Sequence, residues 1–419
     1  MPTRLHYYLD HLRSGYWFLP LAFSVGAVVL ARVLLALDAA IPDAALAHSP
    51  FLYIGPAETE RNTLLTVATT TLSVAGVVFS LTTVPLSIAA SQYGSRLLRN
   101  FLRDTITQVT LAAYFGTFVY CLAVLFTLSP EGDIPNLPHI ATTGALALAL
   151  ACFALLVFFI HNVAASLQAP VVIDEVADDV ERAIAAFALP SLHELPIPKP
   201  EGTPLVARTT GYVQAIDDVG LIQLATEQST QVQLRVQPGS YVGDGETIGW
   251  VQDGLAGDPL RFIVIGSQRL PNQDIEFGLN QLVEIAVRAM SPAINDPFTA
   301  INCLDRLGVL LSHTLRHGLP SPCRTDASGT LRLIRPVPTF ESLCGAAFHL
   351  IRQYSRGCAE VLIRIMDALV FVSEHATLTP EQRGVLRTHA QAVQAEATGL
   401  PNLADRERVL ERCANFLIE

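Results

Sequence analysis

The chain has 419 residues, is 51% hydrophobic and 16% charged, and carries a formal net charge of −11. A mean hydropathy of +0.40 is higher than a soluble domain carries and fits a chain that is part membrane and part soluble. The acidic balance argues against nucleic acid as a partner, because the phosphates would be repelled.

Four apolar segments, roughly 17–37, 63–90, 106–128 and 142–166, are long enough for transmembrane helices, since a bilayer core needs about 20 residues. The first is too long for a cleaved signal peptide and lacks a clean cleavage site. Arg4 and Arg13 precede the first span, and Arg96, Arg99 and Arg103 follow the second. The other two loops are mostly acidic, with Asp38, Asp43, Glu58 and Glu60, and Arg61 at the end, in one and Glu131 and Asp133 in the other. The positive-inside rule then places both termini in the cytoplasm, with Tyr16 and Trp17 at the inner headgroups. Arg32 lies near the outer end of the first span, within snorkelling reach of water. His161 reads as an interfacial polar residue.

The second span is apolar yet rich in hydroxyls. Thr66, Ser73, Ser80 and Ser87 recur every seven residues, and Thr69, Gly76, Thr83 and Ala90 interleave with them. Steps of three and four keep all eight on one helix face. Leu72, Val74, Val78, Phe79, Leu81, Leu86 and Ile88 form a bulky back. Such a seam serves close helix–helix contact or lines a wet path ringed by several copies; either way it is expected to turn away from lipid. Pro85 predicts a kink. The following Ser91–Asp104 is a basic amphipathic helix suited to anionic headgroups.

Beyond the fourth span, a helix over about 171–188 carries Asp174, Glu175, Asp178, Asp179 and Glu181. These form either an acidic vestibule that draws cations or a solvated face. Leu189–Pro204 reads as a Pro-rich linker. Gly211–Val251 alternates short strands with Pro-Gly and Gly-Asp-Gly turns, and Asp218 opens a short helix. The pattern resembles a barrel-sandwich module of the lipoyl and biotinyl type. The only lysine, Lys199, lies outside it, so a swinging-arm carrier is excluded.

The remainder reads as helical, over about 275–290, from Pro297 to about 316, and near 340–354, 357–376, 380–397 and 402–417, with a strand in "TLRLIRPVPTF". Asp296-Pro297 is a helix start signal. Asp274, Gln281, Glu284 and Arg288 share one face, and Asn295 and Asp296 follow at the next turn. They converge on a polar pocket for a metal or small anion, or form an internal network of caps and ion pairs. Cysteines at 121, 152, 303, 323, 344, 358 and 413 show neither CxxC spacing nor a paired framework, and no metal site is implied. With no P-loop, GxSxG, HExxH or dinucleotide fingerprint, the chain does not read as an enzyme and implies no cofactor.

The stretches "VAGVVFSLTTVPLSIAASQYGSRLLRNFLRD", "GTFVYCLAVL" and "NQDIEFGLNQLVEIAVRAMSPAINDPFTA" closely resemble the bacterial predicted-membrane-protein family DUF2254 over nearly the whole chain. Where that pattern has a proline after "SQF", as in "SSQFSPR", this chain reads "ASQYGSR", with Gly94. The resemblance implies a multi-pass protein of the bacterial plasma membrane with a cytosolic C-terminal region, and no reaction. The expected layout is a four-helix transmembrane domain (1–168), an acidic helix and linker (169–204), a small β-module (205–267) and a cytosolic helical domain (268–419). The expected function is a homo-oligomeric channel or pore with a cytosolic regulatory region. The alternative is a non-conducting scaffold or sensor that binds an unidentified ligand or partner through the helical domain.

Overall fold

The computed structural model describes residues 17–41, 56–92, 105–128, 137–166, 168–187, 201–252 and 257–418. The N-terminal tail, the basic stretch 93–104 and linker residues 188–200 lie outside the described residues, as does the side chain of Ala90. The chain divides into two compact units, 1–168 and 169–419.

The first unit holds α1 (Phe18–Ala40), α2 (Ala57–Gln92), α3 (Thr105–Leu125) and α4 (His139–Ser166). All four are long and apolar enough to cross a membrane. The second helix runs on through Pro85. Its i−4 carbonyl loses a donor there, and the Thr82 and Thr83 hydroxyls donate to the carbonyls of Phe79 and Ser80 just upstream.

Tyr120, Cys121 and Val124 of α3 are fully buried. They pack among Ala27 and Ala31 of α1, Leu64, Val67 and Ala68 of α2, and Ala141 and Ala145 of α4. The alanines let the backbones approach, which is how helices associate where lipid is as apolar as leucine. Each buried tyrosine hydroxyl on α3 finds a carbonyl on α4: Tyr114 donates to Cys152 O at 3.0 Å and Tyr120 to Ala141 O at 2.7 Å. Gly144 makes room for this, because a Cβ there would stand 2.8 Å from the Tyr120 hydroxyl.

The second unit starts with α5 (Ala169–Phe187). Its apolar face, Val172, Ile173, Val176, Val180 and Ile184, is buried. It packs on α7 (Ile275–Ala289) and α8 (Pro297–His317). Between them in sequence lie β1 (Thr203–Val206), β2 (Gly211–Ile216), α6 (Asp218–Glu227), β3 (Val232–Leu234), β4 (Tyr241–Val242), β5 (Thr247–Val251) and β6 (Ile263–Gly266). The cap of α6 is Asp217, whose carboxylate accepts from Gly220 N at 3.1 Å.

The β-module is not built from 205–267 alone. Strands β7 (Cys323–Thr325) and β8 (Leu331–Ile334) complete a five-stranded sheet of order β1-β5-β3-β8-β7, beside a three-stranded sheet β4-β2-β6. Strand β8 pairs parallel with β3, Val232 opposite Leu333. A carboxylate pins this crossover. Asp218 at the head of α6 receives the forked guanidinium of Arg335 at 2.8 and 3.0 Å and forms an ion pair with Arg324, whose Nε lies 2.8 Å away. Both arginines are buried. Burial lowers the Arg324 pKa, and Asp218 offsets it.

The remaining helices, α9 (Phe340–Tyr354), α10 (Ala359–His375), α11 (Pro380–Ala397) and α12 (Leu403–Ile418), pack around Leu343, Phe348, Ile365, Leu369, Leu386, Val393 and Val409. Capping boxes at Thr339 and Thr379 start α9 and α11.

Candidate functional site

The hydroxyl stripe faces outward. On α2, Leu64, Val67, Ala68, Thr71, Ala75 and Val78 are buried. Thr66, Thr69, Ser73, Gly76, Ser80, Thr83 and Ser87 are all exposed. At 100° per residue the stripe lies roughly 150° around the helix from the buried seam. Within the described residues the stripe does not pack this span on the other three helices; the seam uses Ala68 and Ala75 for that. The bulky back is divided, with Val78 buried and Leu72, Phe79 and Leu81 exposed. Along the stripe, hydroxyl protons return to their own backbone: Thr66 to Asn62 O at 2.7 Å, Thr69 to Leu65 O at 2.8 Å, Ser73 to Thr69 O at 2.8 Å and Ser80 to Gly76 O at 2.9 Å. This satisfies the donors without water. The hydroxyl oxygens still present lone pairs outward.

The acidic helix is partly spent inside its own unit. Asp174 meets Arg306 at 2.5 Å and Glu181 meets His313 Nδ1 at 2.9 Å, both across to α8. Asp179 pairs with Arg182 one turn on. Glu175 and Asp178 are exposed.

The six residues expected around one polar pocket do not meet in one place. Asp274 is the N-cap of α7 and accepts from Phe277 N at 3.0 Å. Asp296 caps α8, accepting from Thr299 N at 3.2 Å. The 15-residue helix between them separates the two by about 22 Å. Asp274 is buried against Arg269 at 2.7 Å, under a turn where Gly239 alone leaves space. Burial raises the Asp274 pKa, and Arg269 and the Phe277 N–H oppose that rise. Gln281 is buried midway, Glu284 and Arg288 pair at 3.3 Å, and Asn295 holds a left-handed φ of 51° in the exposed turn. Five of the six are caps, an ion pair and a turn, and Gln281 is buried on the helix between them.

One cluster was missed from sequence. At the joint ends of α1, α2 and α4, the carboxylate of Glu60 is fully buried and bonded to Nδ1 of His139. Its other oxygen accepts from Thr142 Oγ1 at 3.3 Å. Beside it, Asp38 accepts from Ile140 N at 2.8 Å and Ala141 N at 2.9 Å, which caps α4. The carboxylate–imidazole pair ties α2 to α4, and Asp38 adds α1 to the same joint. The readable signal is a polar residue at each of three span ends; Asp38 and Glu60 read as loop charge, and His139 carries no local signal of its own.

Among the described residues no group of three or more His, Cys, Asp or Glu is placed to hold a metal ion. A family model described as "Predicted membrane protein (DUF2254)" matches residues 13–370. The chain belongs to that family. It is 31% identical to the uncharacterized proteins Rv1290c of Mycobacterium tuberculosis and Mb1321c of Mycobacterium bovis over 435 aligned residues, covering 97% of this chain and 81% of each relative. No solved structure matches. The family match and the four apolar helices make this a membrane protein.

Proposed function

We propose that this DUF2254 protein is a homo-oligomeric channel of the bacterial plasma membrane, with both termini in the cytoplasm, the α2 stripe lining the path between copies, and the second unit as its regulatory region. The observation that carries the reading is the direction of the stripe. Hydroxyls at seven-residue spacing sit on the face that the chain's own packing leaves free. Polar oxygens aimed outward are well placed to replace part of an ion's hydration shell. The acidic charge of α5 favours cations over anions in this reading. No catalytic step is assigned to it.

A second reading, a non-conducting scaffold, is favoured by one feature. The stripe's hydroxyl protons already bond to carbonyls, which suits a dry contact between copies. Cation flux into liposomes separates the two. Channel function predicts flux that Ser80→Leu abolishes while the oligomer, measured by native mass, is retained. Oligomers without flux in either form support the scaffold, and a monomer in lipid overturns both.

A further inference from the structure

The C-terminal end of α8 carries two histidines four residues apart, His313 and His317. That spacing sets them one above the other on a single helix face. Their ring centroids are 4.9 Å apart. His313 is half-buried and His317 is exposed. Each ring is held through Nδ1. His313 Nδ1 lies 2.9 Å from the Glu181 carboxylate on α5. His317 Nδ1 lies 3.0 Å from the backbone oxygen of His313. A carbonyl oxygen only accepts, and so does an ionised carboxylate, so in both rings Nδ1 carries the proton and donates it. The lone pair of each neutral ring is then on Nε2. Among the described residues neither Nε2 has a hydrogen-bond partner.

A metal-binding histidine is built this way. Its second ring nitrogen donates to a carboxylate or a backbone carbonyl, which fixes the ring and leaves the ligating nitrogen basic. One such histidine is an ordinary helix end. His375 at the end of α10 also bonds back, Nδ1 to Phe371 O at 3.0 Å, but the residue four earlier is the phenylalanine on which its ring stacks. At the end of α8 the residue four earlier is a second imidazole. Two bonds of about 2.1 Å to one ion fit between rings at this spacing. Glu181 is kept beside His313 because α5 and α8 run in register, Asp174 meeting Arg306 seven residues earlier on both helices. Its carboxylate and the carbonyls that end α8 place negative charge near the pair. Arg316, the neighbouring cation, is exposed and lies about 100° around the helix from His317.

We propose that His313 and His317 chelate one divalent transition-metal ion, of the zinc, nickel or copper(II) class, through their Nε2 atoms. Water fills the remaining positions, and Glu181 holds the His313 ring in place. Imidazole suits these ions, whereas magnesium and calcium take oxygen ligands. Two protein ligands and open positions make an exchangeable site in place of a closed structural one. The site does not depend on whether the protein conducts.

The test titrates zinc by calorimetry into the full chain in detergent micelles, without a histidine tag. His317→Gln, Glu181→Ala and, as control, His375→Gln are titrated alongside. The expected result is one zinc site in the unmodified chain that persists in His375→Gln and is lost in His317→Gln. In Glu181→Ala the affinity should fall by about tenfold or more. Zinc bound equally by His317→Gln, or by no form of the chain, overturns the site. Unchanged affinity in Glu181→Ala removes that residue from it. Copper(II) spin-echo spectra of the unmodified chain count the coordinated imidazoles without relying on how any variant folds. Two imidazoles are expected, and one or none overturns the chelate.

Discussion

His389 on α11 is buried between Phe348 and His349, with ring centroids at 5.7 and 5.0 Å. Burial, then the neighbouring His349 and Arg352, lowers its pKa from 6.5 to about 4. The folded ring refuses a proton that the unfolded ring accepts. Stability from this residue is therefore intact above about pH 6.5 and is lost as pH falls toward 4. The span of the shift corresponds to about 3 kcal/mol. His389→Leu is expected to flatten the acid limb of thermal stability between those pH values; an unchanged slope refutes the assignment. Asp218 tests the opposite case, a buried charge that must stay paired. Asp218→Ala leaves Arg335 and Arg324 facing each other without an anion, for an expected loss of about 3–5 kcal/mol. Asp296→Ala removes only a helix cap and should cost about 0.5–2 kcal/mol. If thermal melts place Asp296→Ala above Asp218→Ala in severity, the role given to one of them is wrong.

The elements with local start signals were the legible ones. Helices α9 and α11 occupy 340–354 and 380–397 as the residues predict, because Thr339, Thr379 and Pro380 state their own beginnings. The sheet was harder. The strand in "TLRLIRPVPTF" is visible, but besides the neighbouring β7 it pairs with β3, about a hundred residues upstream, and parallel pairing over that distance leaves no local trace. The same limit hid the Glu60–His139 pair, whose members are separated by 79 residues. For α2, periodicity shows that a small polar face exists; what that face meets is a tertiary fact. The α5–α7 contact depends on one missing side chain. A Cβ at Gly278 would collide with a methyl of Val180. Gly278→Val should therefore push α5 off α7 and lower stability by about 1–3 kcal/mol. Val180→Ala in the same chain should restore part of that loss, and a melt that ignores the second change would mean the two helices do not touch there.

At the scale of the whole molecule, orientation follows from counting and charge. If all four apolar helices cross, the two ends of the chain fall on one side of the bilayer, whichever side that is. Arginine then selects the side. Arg4 and Arg13 precede the first span, and Arg96, Arg99 and Arg103 fall between the second and third, on the same face. The opposite face carries Asp38, Glu60 and His139 at span ends. There Glu60 is bonded to His139 and Asp38 to the head of α4, so those acids tie helices and do not pull the chain across. Positive charge near span ends resists translocation, and acidic residues contribute little. Both termini are therefore expected in the cytoplasm. The check is a pair of C-terminal fusions in bacteria, with a fluorescent protein that matures in the cytoplasm and a phosphatase that is active only outside it. Fluorescence without phosphatase activity is the expected pair. Neutralising Arg96, Arg99 and Arg103 together should weaken the bias and give a mixed population, because only two arginines before the first span would remain. A phosphatase-active fusion of the unmodified chain would reverse the orientation and put the acidic helix α5 on the outer face of the cell membrane.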